Sequence, residues 1–274
     1  MNTLFYNAKV YVDPGDYREA VLVRDGRIEA VGSNAEVAEL ADKLPSADTE
    51  RIDCGGRTLI PGLNDAHLHL LQLGETLRQA DLTGVRSIDE MVARCRKFLD
   101  EHPEEAAGGL HASGWNQDLF EDDQRVPDRH DLDRISTEIP VFLERVCGHM
   151  AVANSCLVEQ VDFTSPELKD GEWQVGTDGR PNGVFTESAC NLVKKLLPER
   201  SPEQQKELLL EAMRHAASLG ITSVQTNDLG TVTHDYAAGF RMLHEIYDED
   251  LAPVRYRHQV SFDSLEDFRA FLQG

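Results

Sequence analysis

From Leu59 onward, short apolar runs of strand length alternate with amphipathic stretches of helix length, and this alternation favours a parallel α/β arrangement over a sandwich. The expected strands are Leu59 to His69, Gly109 to Trp115, Pro140 to Val146, Ile221 to Thr226 and Val254 to Val260. A helix is expected after each. Ser87 with Glu90 forms a capping-box pattern ahead of IDEMVARCRKFL, and Ser201 with Gln204 forms another, with Pro202 at the first helical position. In that second helix Leu208, Leu209, Ala212, Met213, Ala216 and Leu219 share a face, and Gly220 is placed to end it. Ser264 with Asp267 opens the last helix in the same way.

The first 58 residues read differently. LFYNAKVYV, AVLVRDGRIEAVG and ERIDCGGRTLIPG are short β-like arms, the second folded about a D-G turn, and together they predict a small β-sandwich-like unit. One helix, Asn34 to Leu44 with Asn34 as its N-cap, interrupts them. Farther on, the D-G and N-G pairs of EWQVGTDGRPNGVFTES predict a hairpin near the rim of the later sheet, and the acidic run Glu121 to Asp123 predicts an exposed loop.

Charge and cysteines narrow the function classes. Asp and Glu number 49 against 27 Lys and Arg, a formal charge of -22 that repels phosphate backbones and anionic lipid heads. Nucleic acid and membrane are therefore not expected partners. No apolar run approaches the roughly 20 residues of a membrane helix, and the opening segment lacks the charge pattern of a signal peptide, so a cytoplasmic protein is expected. The five cysteines are scattered and never in a CxxC spacing, which indicates neither a disulfide framework nor a zinc ribbon.

Chemistry concentrates in LIPGLNDAHLHL. His67 and His69 stand two apart at the end of an apolar strand, so both imidazoles can point at one ion. Spacing alone also allows a pair of surface or core histidines, since two nitrogens are short of the three or four ligands of a metal site. The position at a strand's carboxyl end, where a parallel barrel carries its chemistry, favours the metal.

VLVRDGRIEAVG, the segment IDCGGRTLIPGLNDAHLHL and the HxH within it resemble the amidohydrolase superfamily, and the resemblance extends over essentially the whole chain. ASGWNQDLF, PVFLERVCGHMAVANS and DGRPNGVFTESA resemble its branch that includes N-substituted formamide deformylases. The resemblance implies an α/β fold in which residues 59–274 form the first part of a TIM-type (β/α) barrel, incomplete here and preceded by the N-terminal β unit of residues 1–58. It implies hydrolysis of a carbon-nitrogen bond in a small amide, formamide or cyclic amide, with a divalent metal, zinc, as one or two ions. His67 and His69 would bind the first ion, and Glu187, in GVFTE, matches the acidic position this branch uses where other members have a metal-bridging modified lysine. His149 would be a catalytic residue in proton transfer, and Trp115, Asn116 and Asn154 would contact substrate.

Plainer roles stand beside these. Glu187 suits the N-terminus of a helix, where its charge meets the helix dipole, and Asn154 with Ser155 reads first as a helix start. His149 could bond a loop carbonyl, Trp115 could pack between helices, and Asp228 could be a turn former or a partner of a ligand. His111 and His258 lie within strands and receive no ligand role; His102, His130, His215, His234 and His244 read as surface or packing residues.

Superfamily members complete the site with two further histidines and an aspartate from later strands, none of which is recognisable here. About five barrel strands are present where a closed barrel needs eight. The expectation is that self-association or a missing C-terminal half covers the open edges. The competing reading is a catalytically incomplete fragment or a binding subunit that retains the first half of the fold.

Overall fold

In the computed structural model, which describes residues 2–169, 171–229, 235–262 and 264–273, the N-terminal segment builds two small sheets. Its elements are β1 (Asn2–Tyr6), β2 (Lys9–Asp13), β3 (Asp16–Arg18), β4 (Ala20–Arg24), β5 (Arg27–Gly32), α1 (Asn34–Asp42), β6 (Thr49–Asp53) and β7 (Thr58–Leu59). One sheet has the order β5-β4-β1-β6 and the other β3-β2-β7. Asp25 and Gly26, both at positive φ, make the tight turn that their sequence predicts between β4 and β5. Leu4, Ala20 and Leu22 are buried against Val37 and Ala41 of α1. The N-cap of that helix is Ser33, not Asn34: Ser33 Oγ accepts from Glu36 N–H and the Glu36 carboxylate accepts from Ser33 N–H at 3.0 Å. A glutamate three residues after Ser33 completes a reciprocal box that Asn34 cannot form.

This unit comprises residues up to Asp65 together with Gly220–Ser223; Ala66–Leu219 and Val224–Gly274 form the second. The predicted strand Leu59 to His69 is broken at Pro61, which lacks a ladder donor, and only its second part, β8 (Leu63–Leu68), leads to the histidines.

Next come α2 (Leu70–Leu77), β9 (Ala80–Asp81), α3 (Ile88–Glu101), β10 (Leu110–Trp115), α4 (Arg129–Asp133), β11 (Val141–Arg145), β12 (Met150–Ala153), α5 (Ser155–Val158), β13 (Trp173–Val175), β14 (Pro181–Thr186) and α6 (Ser188–Lys194). The six strands among them form one sheet, order β13-β14-β12-β11-β10-β9. It is parallel from β9 to β11 and antiparallel beyond. Leu143, Val152 and Val184 face α3 and α4 through Met91 and Leu132. Phe142, Ala151 and Phe185 face α5 and α6 through Leu157 and Val193. Both faces are thus buried, and the predicted hairpin is β13–β14 at the edge of this sheet, joined to it through the β14–β12 pairing.

The last elements are α7 (Pro202–Ser218), β15 (Ile221–Thr226), α8 (Tyr236–Asp248), β16 (Arg255–His258) and α9 (Leu265–Phe271). The Ser201–Gln204 box and Pro202 open α7 as predicted. Leu208, Leu209, Ala212, Met213 and Ala216 are buried, whereas Leu219 is the exposed C-cap. Helix α2 lies tight against α7 at Gly74, where a Cβ would stand 2.4 Å from the Leu208 carbonyl oxygen. Strands β16, β15 and β8 make a separate three-stranded sheet. Leu63 N–H reaches Gly220 O at one end of the β8–β15 pair and Asn227 N–H reaches Leu68 O at the other, so these two strands run the same way.

The five strands expected in one parallel run therefore fall into two sheets, with β10 and β11 in the mixed sheet and β8, β15 and β16 in the other. The chain is a mixed α/β fold with several sheets, as the alternation of strands and helices implies at that coarser level. Alternation reveals where strands are, but pairing depends on contacts between distant segments. Among the described residues no helix is long and apolar enough to cross a membrane.

Candidate metal centre

β8 carries His67, and His69 follows directly as the N-cap residue of α2. With Leu68 between them the two imidazoles share a side, their centroids 5.7 Å apart and their planes at 77°. Each Nδ1 meets a carbonyl oxygen. His67 Nδ1 lies 3.1 Å from Gln259 Oε1, and His69 Nδ1 lies 3.0 Å from the Asn227 carbonyl oxygen.

His69 offers α2 no side-chain cap. The helix start is capped from afar instead: Leu70 N–H donates to Thr226 Oγ1 and Leu71 N–H to Asp228 Oδ1, both at 3.1 Å. Asp228 Oδ2 also accepts from Thr226 Oγ1 at 2.6 Å and from the Tyr256 hydroxyl at 2.7 Å. Burial, together with the Asp228 carboxylate, raises the Tyr256 phenol well above its usual range. Asp228 is thus more than a turn former: it clamps the helix that begins at His69.

A second pair forms elsewhere in the same unit. His149 Nδ1 lies 3.3 Å from Glu187 Oε2, both side chains are exposed, and Glu187 N–H donates to the His149 carbonyl oxygen. Glu187 is the N-cap residue of α6 with φ 49° and ψ -126°, a backbone region that costs a non-glycine residue about 1–3 kcal/mol. Its side chain makes no cap hydrogen bond. The helix-start role thus accounts for the position of Glu187 but not for its strain.

The expected union of Glu187 with His67 and His69 is not what the structure assembles. Glu187 is paired with His149, and among the described residues no group of three or more His, Cys, Asp or Glu is placed to hold a metal ion. The expected substrate contacts also separate. Trp115 is fully buried in the core, its Nε1–H donating to Leu143 O at 3.1 Å. Asn154 is 0% exposed with its amide fully engaged: Oδ1 accepts from Val141 and Leu157 N–H, and Nδ2 donates to Ser136 and Ile139 carbonyls. It is a helix cap and loop anchor, as its plainer reading holds. Asn116 is half-buried at the end of β10, where its Oδ1 accepts from Arg145 at 2.8 Å. His234 lies outside the described residues.

Sequence reasoning missed Gln259 and the main-chain oxygen of Asn227, which carry no motif, and an ionic cluster on the mixed sheet. There Glu144 accepts from His111 Nε2 and, at 3.0 Å, from Lys194 Nζ, while Gln79 Nε2 stands 2.9 Å from His111 Nδ1. Gln79, His111 and Lys194 line a cavity of about 780 Å³. Burial opposes ionisation of Glu144, but the hydrogen bonds and charges of His111 and Lys194 outweigh it and hold the carboxyl down at about 2, against 4.5 ordinarily. A depressed folded-state pKa stabilises above the unfolded value and is lost as pH falls through the folded one. Glu144→Gln should therefore flatten the loss of melting temperature between about pH 4.5 and about pH 2, read by circular dichroism; an unchanged acid limb would contradict the linkage.

The site thus consists of an imidazole pair at a strand's carboxyl end in a mixed α/β unit, each ring held through Nδ1. The chain belongs to the Amidohydrolase family, whose model matches residues 50–273. It is 31% identical over 236 residues to YtcJ of Bacillus subtilis, a protein named as an amidohydrolase, covering 84% of this chain and 43% of that one. It is 30% identical over 215 residues to the N-substituted formamide deformylase of Arthrobacter pascens, covering 75% of this chain and 38% of that one. The crystal structure of an uncharacterized metal-dependent hydrolase from Pyrococcus furiosus superimposes with a TM-score of 0.74 at 25% identity, over 99% of this chain and 52% of that one. The chain thus spans less than half the length of these two curated relatives.

Proposed function

We propose that this chain supplies the first metal-binding pair of a hydrolase that cleaves a carbon-nitrogen bond in a small amide, formamide or cyclic amide. The observation that carries this reading is the His67–His69 pair with a carbonyl acceptor on each Nδ1. That donor set fits a divalent ion, zinc by its preference for imidazole nitrogen, because ligating histidines commonly donate their other N–H to an oxygen. When bound, the ion supplies Lewis acidity toward the amide carbonyl and makes a water acidic enough to attack near neutral pH.

The chain's own residues have separate tasks. His67 and His69 hold the ion. Asp228 and Thr226 hold the backbone that follows His69. His149, oriented by Glu187, moves a proton, and the strain at Glu187 supports a functional role for that pair. Further ligands come from outside the described residues or from another polypeptide. Exposed Leu265, Phe268 and Leu272 on and beside α9 support cover by self-association or by the rest of the fold. A cytoplasmic location is proposed with the small-molecule substrate.

Zinc titration and an assay on a panel of N-formyl and N-acyl amines test this reading. The expected result is zinc-dependent turnover that falls at least 100-fold in His67→Ala and in His69→Ala, with zinc affinity falling alongside. Turnover that survives both substitutions overturns the metal assignment. Zinc bound without turnover on any panel member favours the binding-subunit alternative.

A further inference from the structure

Gln259 lies just past β16, far in sequence from the histidines, yet its side chain meets the first of them. Its main chain is anchored as well, because Gln259 N–H donates to Thr226 O at 2.8 Å. The neighbouring strand does the same for the second histidine: Asn227 N–H donates to Leu68 O, and the Asn227 carbonyl oxygen meets His69 Nδ1. Two consecutive strands of one sheet thus each place one carbonyl oxygen on one imidazole.

A carbonyl oxygen only accepts hydrogen bonds, so the ring nitrogen facing it must donate. For a neutral imidazole this puts the proton on Nδ1 and the lone pair on Nε2. A main-chain carbonyl cannot exchange its oxygen for a donor, so Asn227 commits His69 to that tautomer. Gln259 could in principle turn its amide over; with Oε1 toward His67 it gives both rings the same tautomer, and both then offer Nε2.

We propose that Gln259 is a positioning residue of the metal centre: its side-chain carbonyl keeps the His67 proton on Nδ1 and so directs Nε2 to the ion. The inference rests on His67 and His69 being the metal ligands. An amide suits the task because it orients the ring without adding a charge that would favour the imidazolium, which cannot ligate. The neutral side chain also leaves the ion's charge undiminished for polarising a carbonyl.

The test uses nitrogen-15 NMR of the imidazoles in metal-free protein at mildly alkaline pH, followed by zinc titration. Wild type should show Nδ1–H tautomers at both His67 and His69. In Gln259→Leu, His67 should shift toward the Nε2–H form while His69 keeps its own, and zinc affinity should fall about 10- to 100-fold. Gln259→Glu, which retains an acceptor, should keep both tautomers and most of the affinity. His69 is the internal control, since a general loss of structure would disturb both rings. An unaltered His67 tautomer in Gln259→Leu overturns the positioning role even if zinc binds normally. Wild-type protein that shows both tautomers but binds no zinc overturns the metal centre, and with it the role of Gln259 there.

Discussion

Trp115→Ala should cost the second unit about 3–5 kcal/mol, the range for deleting a buried large aromatic. Few side chains in the chain are as large and as fully buried, and its indole N–H is held by the Leu143 carbonyl oxygen. The loss would be a large share of the roughly 5–15 kcal/mol that stabilises a typical domain. Urea unfolding followed by far-ultraviolet circular dichroism measures it. Trp115→Phe retains most of the volume and forfeits the hydrogen bond, so its cost should be nearer 1 kcal/mol. A wall residue of a substrate pocket would behave in the opposite way, with little change in the urea midpoint and a raised KM. Near-wild-type stability of Trp115→Ala would therefore return the indole to a binding role.

Asp228→Ala should be comparably damaging, by about 3–5 kcal/mol, because a buried charge-bearing acceptor leaves several donors without partners. At 2% exposure Asp228 accepts from the Leu71 N–H, the Thr226 hydroxyl and the Tyr256 hydroxyl. Asp228→Asn keeps an oxygen for Leu71, and the two hydroxyls can rotate to accept from its NH₂, so about 1–2 kcal/mol is expected. The functional consequence follows from the position of the clamp. Asp228 secures α2 immediately after His69, so zinc affinity should weaken along with stability in Asp228→Ala. Thermal melts with and without zinc separate the two effects. A zinc-induced shift as large as that of wild type would show that the clamp serves the fold and not the imidazoles.

Much of the local structure is legible in the residues. The D-G turn between β4 and β5, the cap at Ser87 and the boxed start of α7 depend on neighbours within a few positions, and the structure has each of them. The HxH at a strand end is legible for the same reason: strand alternation alone puts His67 and His69 on one side. Family membership is also legible in a local segment, IDCGGRTLIPGLNDAHLHL, which lies within the matched residues 50–273.

What escaped the sequence reading depends on distant partners or on a break in alternation. Trp115 illustrates the second case. Gly114, at φ 104°, interrupts the β10–β11 register between Ser113 and Trp115. That irregularity gathers the indole into the core with Leu110 and Ala112, where simple alternation would send it to the other face. Pairing of sheets illustrates the first, since β8 finds β15 across more than 150 residues and the intervening strands form a sheet of their own. The same distance separates Asp228 from the helix start it caps and Gln259 from the imidazole it orients. The sequence by itself determined most of the elements, the caps at Ser87 and Ser201, the imidazole pair and the family, because those rest on backbone periodicity and short-range hydrogen bonds. Only the tertiary structure decided which strands pair, which polar side chains are consumed as structural anchors and which oxygens face the histidines, because those outcomes depend on long-range packing that no local pattern encodes.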